Sequence, residues 1–237
     1  MDKRIRPQRR IPLSATLNTR DLGGYPTKEG HMTRWGVFYR SEMPHTLNET
    51  DLSLLRERDI RTVIDLRTAK QIAGEPSAFS MAEGITYCHC PFADGNRDPA
   101  YDGDVPNVYM ELLSSRGTFE EVFSILAEAQ GAVLFHCAAG KDRTGLIAAM
   151  LLLAVGVSEA DVLADYQVSY TYLRPLIDWL RQQNPEMPPW LGRSDMVYME
   201  ETLRRLFGCY RDAEGFLCDC GVTVAVLNRI REKFLEE

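Results

Sequence analysis

AVLFHCAAGKDRTG, residues 132–145, joins an apolar strand to an apolar helix through a short loop. Residues 132–135 are wholly apolar, which is typical of a buried parallel strand. Residues 144–154 have no polar face and are too few to cross a bilayer, so they predict a core helix. The strand therefore delivers Cys137 to a loop that ends at a helix N-terminus.

The chemistry of this loop suits a phosphate group. Backbone N–H groups and the positive end of the helix dipole favour a dianion at a helix N-terminus. The same field favours a thiolate, so we expect Cys137 to be a nucleophile. Arg143 can hold two phosphate oxygens with its planar guanidinium. Thr144 is expected to donate to the Cys137 sulfur, and His136 to orient the loop. The predicted phosphate-binding residues are Ala138, Ala139, Gly140, Lys141, Asp142, Arg143 and Thr144.

The alternative for Cys137 is an inert buried thiol, because cysteine is among the most buried residue types. An isolated cysteine would be interpreted in that way. Here His136, Gly140, Arg143 and Thr144 all stand at the offsets that the phosphate chemistry requires. The combination favours a catalytic cysteine.

The segment HCAAGKDRTG, residues 136–145, resembles the HCxxGxxRTG signature of the cysteine-dependent protein tyrosine and dual-specificity phosphatases. The Gly-Lys-Asp-Arg filling, with NTRDLGG at residues 18–24 and VIDLR at residues 63–67, is similar to a bacterial and fungal group that includes phosphoinositide-active members. The resemblance implies catalysis without metal or cofactor, and it implies that Arg20 and Asp21 support the site. Rhodanese and arsenate-reductase loops also hold a cysteine but normally lack this continuation.

A phosphatase of this kind needs a general acid for the leaving oxygen, and the same group can then activate water. Asp142 lies inside the loop, and in similar enzymes this aspartate has been considered for the role. Asp94 is the second candidate, because Asp94 and Asp98 follow the predicted strand at residues 85–90, where many superfamily members carry their acid. Either aspartate could instead orient Arg143 or cap a turn.

Lys141 gives a second indication of the substrate. Its ammonium is expected to project from the loop and to favour substrates with several phosphates, such as an inositol phosphate headgroup. The resemblance implies phosphotyrosine as the substrate, and Lys141 adds phosphoinositides as a second class. Two alternatives stay open, namely an inositol polyphosphate phosphatase and a phosphate-binding module without catalysis.

Composition fits one phosphatase domain over residues 1–237, and a net charge of −7 argues against general nucleic-acid affinity. Residues 1–12 form a basic segment, expected to be flexible, that could contact anionic lipid weakly. No signal peptide or long apolar stretch is visible, so a cytoplasmic protein without an integral membrane segment is expected. The six cysteines show no disulfide framework, and the two Cys-x-Cys pairs are interpreted as packing rather than a metal site.

Alternating elements predict an α/β fold with a central, mostly parallel sheet flanked by helices, and with additional helices at the C-terminus. Asn48 is expected to cap a helix, and Thr118 with Glu121 to form a capping box. Ser158 and Asp161 are expected to start a further helix that runs to about Arg181. Residues 182–193 are expected to be a connection or a lid. Further strands are predicted at residues 36–40, 61–67 and 85–90, and further helices at residues 68–73, 195–207 and 223–234.

Overall fold

A computed structural model describes residues 7–93 and 97–236. Its sheet has five strands in the order β1-β2-β5-β3-β4, of which only the β1–β2 pair is antiparallel. Helices flank this sheet, so the prediction of a mostly parallel α/β fold is confirmed. The strands are β1 Arg20–Asp21, β2 Phe38–Glu42, β3 Ile60–Asp65, β4 Thr86–His89 and β5 Ala132–Cys137.

The described residues form nine α-helices and two short 3₁₀ turns, Ala78–Met81 and Asp102–Asp104. The predicted C-terminal helices are present, and the helices Val105–Leu113 and Ala213–Asp219 are additions that the sequence did not predict. The α-helices are α1 Glu49–Glu57, α2 Ala69–Gly74, α3 Val105–Leu113, α4 Arg116–Glu128, α5 Asp142–Ala154, α6 Glu159–Gln183, α7 Met196–Cys209, α8 Ala213–Asp219 and α9 Val224–Phe234.

Strand β5 lies at the centre of the sheet and is buried along its whole length. Alternate residues face opposite sides: Val133 and Phe135 lie in the larger core with α5, whereas Leu134 lies in a smaller core with α1. At the carboxyl end, Cys137 pairs with Glu42 of β2, and His136 pairs with Asp65 of β3. Three parallel strands therefore end around the loop that follows Cys137, as expected for a site in an open α/β sheet.

The predicted helix caps have different outcomes. Asn48 caps α1 as expected, and Ser158, where α6 was expected to start, caps that helix; each accepts a hydrogen bond from the third residue of its helix. The capping box at Thr118 is wrong, because α4 already begins at Arg116. The Thr118 hydroxyl instead donates to the Pro91 carbonyl at 2.6 Å, which ties the helix to the chain after β4.

The basic N-terminal segment is not a free arm over its described residues. The Arg9 guanidinium lies 4.1 Å from the ring centroid of Tyr25 and 4.7 Å from that of Trp35, and Ile11 is buried. Arg10 covers the ring of Tyr172 in the same way. Cation–π contacts of the two arginines and the buried side chain of Ile11 therefore fix this part of the segment against the protein. The charge of the segment alone had predicted that these residues are solvated. The other basic residues of the predicted arm, Lys3, Arg4 and Arg6, lie outside the described residues.

No helix within residues 7–93 and 97–236 is long and apolar enough to cross a membrane. Of the Cys-x-Cys pairs, Cys90 and Cys220 are buried, Cys88 is half-buried, and Cys218 is exposed. The packing interpretation therefore fails for Cys218, whose side chain faces solvent at α8. Burial raises the pKa of the Cys220 thiol to about 12.

Candidate active site

The loop after β5 makes a tight return into α5. Cys137 ends the strand with 2% of its surface exposed, and Asp142 is the first residue of the helix. Gly140 has a φ of 64°, and a Cβ atom there would lie 2.4 Å from the Ser41 carbonyl oxygen. Only glycine meets both demands, because other residues are strained at positive φ and would clash with β2.

Donors from outside the loop fix the direction of its peptide groups. Asn18 Nδ2 donates to the carbonyls of Ala139 and Gly140 at 3.2 and 3.1 Å. Arg40 Nη2 also donates to the Gly140 carbonyl, at 2.8 Å. In a trans peptide unit the N–H points opposite to the C=O. With these carbonyls held against the scaffold, the N–H groups that follow them point into the loop, where an anion would bind.

Asp165 of α6 holds the two arginines that shape this scaffold. It pairs with Arg20 Nε at 2.8 Å and with Arg40 Nη1 at 2.5 Å, and all three side chains are buried. Burial opposes the charged carboxylate, but the Arg20 and Arg40 guanidinium groups hold the pKa of Asp165 far below its usual range. Arg20 also donates to the Asn18 carbonyl at 3.1 Å, and Asn18 in turn contacts the loop carbonyls. Asp21 closes a turn instead, accepting from the amide of Gly23 at 2.8 Å.

His136 orients the first residue of the loop. Its Nδ1 lies 3.1 Å from the Cys137 carbonyl, and its Nε2 lies 3.5 Å from the Ser77 hydroxyl. Burial lowers the pKa of His136 to about 4, although the nearby Asp65 carboxylate opposes the shift. The ring is therefore neutral near pH 7. Nδ1 carries the hydrogen and donates to the Cys137 carbonyl, while Nε2 accepts from Ser77.

Arg143 lies in the first turn of α5 and reaches toward α2. Its Nη1 donates to Gln71 Oε1 at 2.8 Å and lies 3.4 Å from the Leu66 carbonyl. The side chain is half-buried at the edge of the cleft. Substrate phosphate would have to compete with the Gln71 amide for this guanidinium.

Lys141 differs from its prediction, because its side chain does not project freely from the loop. It is 8% exposed, and its Nζ donates to the Arg193 carbonyl at 2.8 Å. The same ammonium lies 3.3 Å from Asp142 Oδ1. The Arg193 carbonyl and the Asp142 carboxylate thus stabilise the buried ammonium of Lys141. The Lys141 side chain connects the loop to the segment before α7.

The two candidate acids differ in their placement. The Asp142 carboxylate lies at the mouth of the loop and accepts a hydrogen bond of 2.5 Å from the Tyr109 hydroxyl. Asp94 lies outside the described residues, so its part in the site stays a prediction. Asp98 is exposed and lines the same cleft.

Thr144 is fully buried, and its Oγ1 has no hydrogen-bond partner within the described chain. The predicted bond to the Cys137 sulfur is therefore not formed in this structure. Buried hydroxyl groups are nearly always paired, and an unpaired one calls for an explanation such as a part in catalysis.

A cleft of about 180 Å³ lies above the loop. Trp190 lines it, with its Nε1 3.4 Å from the Pro99 carbonyl, whereas Tyr25 packs under Arg9 and donates to Asp165 instead. The predicted lid segment, residues 182–193, thus contributes one wall, and its motion stays a prediction. The residues of the cleft that bear on the chemistry are Gln71, Asp98, Tyr109, Lys141, Asp142, Arg143 and Trp190.

A model of the tyrosine phosphatase family matches residues 11–236 of the chain. The chain belongs to the tyrosine phosphatase family. A tyrosine-protein phosphatase of Nostoc commune is 33% identical over 145 residues, which cover 58% of this chain and 49% of that protein. A protein of Cupriavidus necator is 34% identical over 63% of this chain and 59% of its own length. The chain thus spans about half of these two relatives.

A third relative matches over nearly its whole length. The triple specificity protein phosphatase PtpB of Mycobacterium tuberculosis is 27% identical, and the alignment covers 92% of this chain and 96% of that protein.

Sequence reasoning missed several residues that build the site. Arg40 was assigned only to a strand, and neither Asp165 nor Tyr109 was singled out. Asp165 lies 125 residues after Arg40, so no local pattern could have paired them. One signal in the sequence was available. Arg40 is a charged residue at the end of a strand that is otherwise predicted to be buried, and a buried arginine needs an acidic or carbonyl partner.

Proposed function

We propose that this protein is a phosphomonoesterase that acts on phosphotyrosine through a cysteinyl-phosphate intermediate at Cys137, without metal or cofactor. One observation carries the proposal. Cys137 stands at the start of a loop whose Ala139 and Gly140 carbonyls are held outward by Asn18 and Arg40. The loop amides and the N-terminus of α5 together form a cradle for a phosphoryl group next to a sulfur nucleophile.

Binding places the phosphoryl oxygens against the loop amides. Arg143 exchanges its contact with Gln71 for two phosphoryl oxygens, which its planar guanidinium can hold at once. The same donors stabilise the charge that the equatorial oxygens carry during transfer.

In the first displacement the Cys137 thiolate attacks phosphorus. An S–P bond forms, the bond to the tyrosine oxygen breaks, and Asp142 gives its proton to that oxygen. The Asp142 carboxylate lines the cleft, which supports this assignment. Asp94 remains the second candidate for the general acid.

The second displacement restores the enzyme. A water attacks phosphorus, the Asp142 carboxylate takes its proton, and the S–P bond breaks with its electron pair returning to sulfur. Thr144 is the proposed donor to the departing thiolate, which would use its buried, otherwise unpaired hydroxyl.

The Lys141 contacts bear on the choice of substrate. Its ammonium is already bound by the Arg193 carbonyl and lies near Asp142, so it is not displayed for a second phosphate. We therefore place phosphotyrosine in a protein first and phosphoinositides second. Comparing a phosphotyrosine peptide with a short-chain phosphoinositide and a soluble inositol polyphosphate tests the order. A wide preference for the last substrate would overturn it.

The deciding experiment measures hydrolysis of an aryl phosphate in excess EDTA. We expect the parent protein to be active and Cys137→Ser to be inactive. Cys218→Ser, at an exposed cysteine on α8, is the matched control and should keep full activity. Asp142→Asn and Asp94→Asn, measured alongside, identify the acid by the larger loss. A parent that binds phosphate tightly but never hydrolyses the ester would instead be a phosphate-recognition module.

A further inference from the structure

Two buried tyrosines form a hydrogen-bonded chain that ends at Asp142. The hydroxyls of Tyr109, from α3, and Tyr166, from α6, lie 2.6 Å apart. The Tyr109 hydroxyl lies 2.5 Å from Asp142 Oδ1. The two rings meet edge to face with centroids 6.1 Å apart, and both side chains are almost fully buried. Nothing in the resemblance to known phosphatases pointed to either residue.

The direction of this chain follows from the groups that form it. Burial raises the pKa of Tyr109 and of Tyr166 well above the ordinary value, so both hydroxyls keep their hydrogens. A carboxylate can only accept. Tyr109 therefore donates to Asp142, and its own oxygen accepts from Tyr166.

The two oxygens of Asp142 are consequently unequal. Oδ1 faces the Tyr109 hydroxyl and also lies 3.3 Å from Lys141 Nζ. Oδ2 forms no hydrogen bond with any residue in the described ranges, and 38% of the side chain is exposed toward the cleft. One oxygen is fixed by the protein, and the other is left for a proton that moves to or from the substrate.

We propose that Tyr109 and Tyr166 are positioning residues that hold Asp142 through Oδ1, so that Oδ2 delivers the proton to the leaving oxygen. This inference rests on the proposed function. As the Oδ2–H bond breaks, its electron pair stays on the carboxylate, and the Tyr109 hydroxyl stabilises the charge that forms there. The same contact holds Oδ2 ready to take a proton from the attacking water in the second displacement.

Other charged or titratable groups line the cleft beside this carboxylate or lie near Tyr166, and a substitution in the tyrosine chain leaves them in place. They are Lys141 and Arg143 from its own loop and helix, Arg97 and Asp98 across the cleft, and Arg40 and Tyr198 on the far side of Tyr166.

Tyr109→Phe tests the proposal, because it removes one hydroxyl and keeps the ring in the core. We expect kcat for phenyl phosphate, whose leaving oxygen needs a proton, to fall about tenfold with little change in KM. The loss should be smaller for 4-nitrophenyl phosphate. The alkaline limb of the pH–rate profile should move to higher pH, because the carboxylate form loses a donor. Tyr166→Phe should move the limb in the same direction by less.

Tyr170→Phe is the matched control, since it removes a hydroxyl from the same helix as Tyr166 without touching the chain. It should leave both kcat and the pH profile unchanged. The proposal is overturned if Tyr109→Phe and Tyr166→Phe leave the alkaline limb in place, or if both substrates lose rate equally. Retained activity in Cys137→Ser would instead defeat the proposed function, so the two failures are distinguishable. If Tyr109→Phe does not fold, the shift of the alkaline limb in Tyr166→Phe tests the proposal on its own.

Discussion

Arg40 and Asp165 form a fully buried ion pair of 2.5 Å that connects β2 to α6 behind the loop after β5. The same guanidinium donates to the carbonyl of Gly140 at 2.8 Å. The position of α6 therefore affects the orientation of the loop peptide groups that would face a phosphate. Helix α6 therefore supports the loop through this ion pair, although α6 begins well after the loop in the sequence.

Asp165→Asn should be strongly destabilising. It leaves the Arg20 and Arg40 charges buried with one carboxylate fewer, a change that typically costs about 3–5 kcal/mol. Urea denaturation measures the loss, and orthovanadate affinity should fall with it. Asp178→Asn, which breaks an exposed pair with Arg174 on the same helix, is the control and should leave stability nearly unchanged. Equal effects of the two variants would contradict the role given to Asp165.

Gly140→Ala should abolish phosphate binding. The new Cβ would lie 2.4 Å from the Ser41 carbonyl oxygen, so either the loop or β2 must move. Gly30→Ala is the matched control, because Gly30 also has a positive φ but has nothing within 4 Å of the added atom. Backbone strain is common to both variants, and only Gly140→Ala adds the clash. Titration with orthovanadate should show binding lost in Gly140→Ala and kept in Gly30→Ala.

His136 should make the protein less stable in mild acid. Its pKa is about 4 in the native state against 6.5 for an unperturbed ring. Between these values the unfolded chain binds a proton that the native protein does not, so stability falls as the pH drops through this window. In His136→Gln the fall from pH 6.5 to 4 should be smaller by about 1–3 kcal/mol.

The measurement for His136 is the free energy of unfolding at several pH values. His45→Gln, at an exposed histidine, is the control and should follow the parent curve. The prediction is contradicted if the free energy of unfolding depends on pH in the same way in the parent and in His136→Gln. That result would show that His136 is protonated as readily in the native state as in the unfolded chain.

Gln71 should modulate phosphate affinity through Arg143. Gln71→Glu places a carboxylate against the guanidinium and should weaken phosphate binding about fivefold, the value of a modest exposed ion pair. Gln71→Leu should bind phosphate at least as tightly as the parent, because the competing acceptor is gone. Gln130→Glu adds the same charge at the opposite end of β5 and should have no effect. Competition of inorganic phosphate against an aryl phosphate measures all three.

Much of the fold could be predicted because its signals are local. The apolar run before Cys137 and the apolar helix after it are contiguous, and they alone specify a central strand, a loop and a core helix. Helix α3 was missed because it has only nine residues and no side-chain hydrogen bond caps its N-terminus. The Thr118 capping box failed because α4 begins two residues before Thr118, at Arg116, so Thr118 lies inside the helix and not at its N-cap.

The chemistry of the candidate site could be predicted from the sequence, but the residues that hold the loop in place could not. The loop residues are consecutive, so their types and spacing already suggest a phosphate cradle. Lys141 looked free because the Arg193 carbonyl that holds it lies 52 residues later. Asp165 and Tyr109 could not be recognised, since an aspartate or a tyrosine within a helix is ordinarily interpreted as surface or core. Contacts between distant segments decide these roles, and they exist only in three dimensions.

The most direct test of the account is to trap the reaction intermediate. The protein is mixed with an aryl phosphate carrying a labelled phosphoryl group, quenched within the first turnovers, digested and mapped by mass spectrometry. We expect the label as phosphocysteine on the peptide that contains Cys137, and none in Cys137→Ser. A fully active protein that never carries the label there, or that carries it on another residue, would contradict the account.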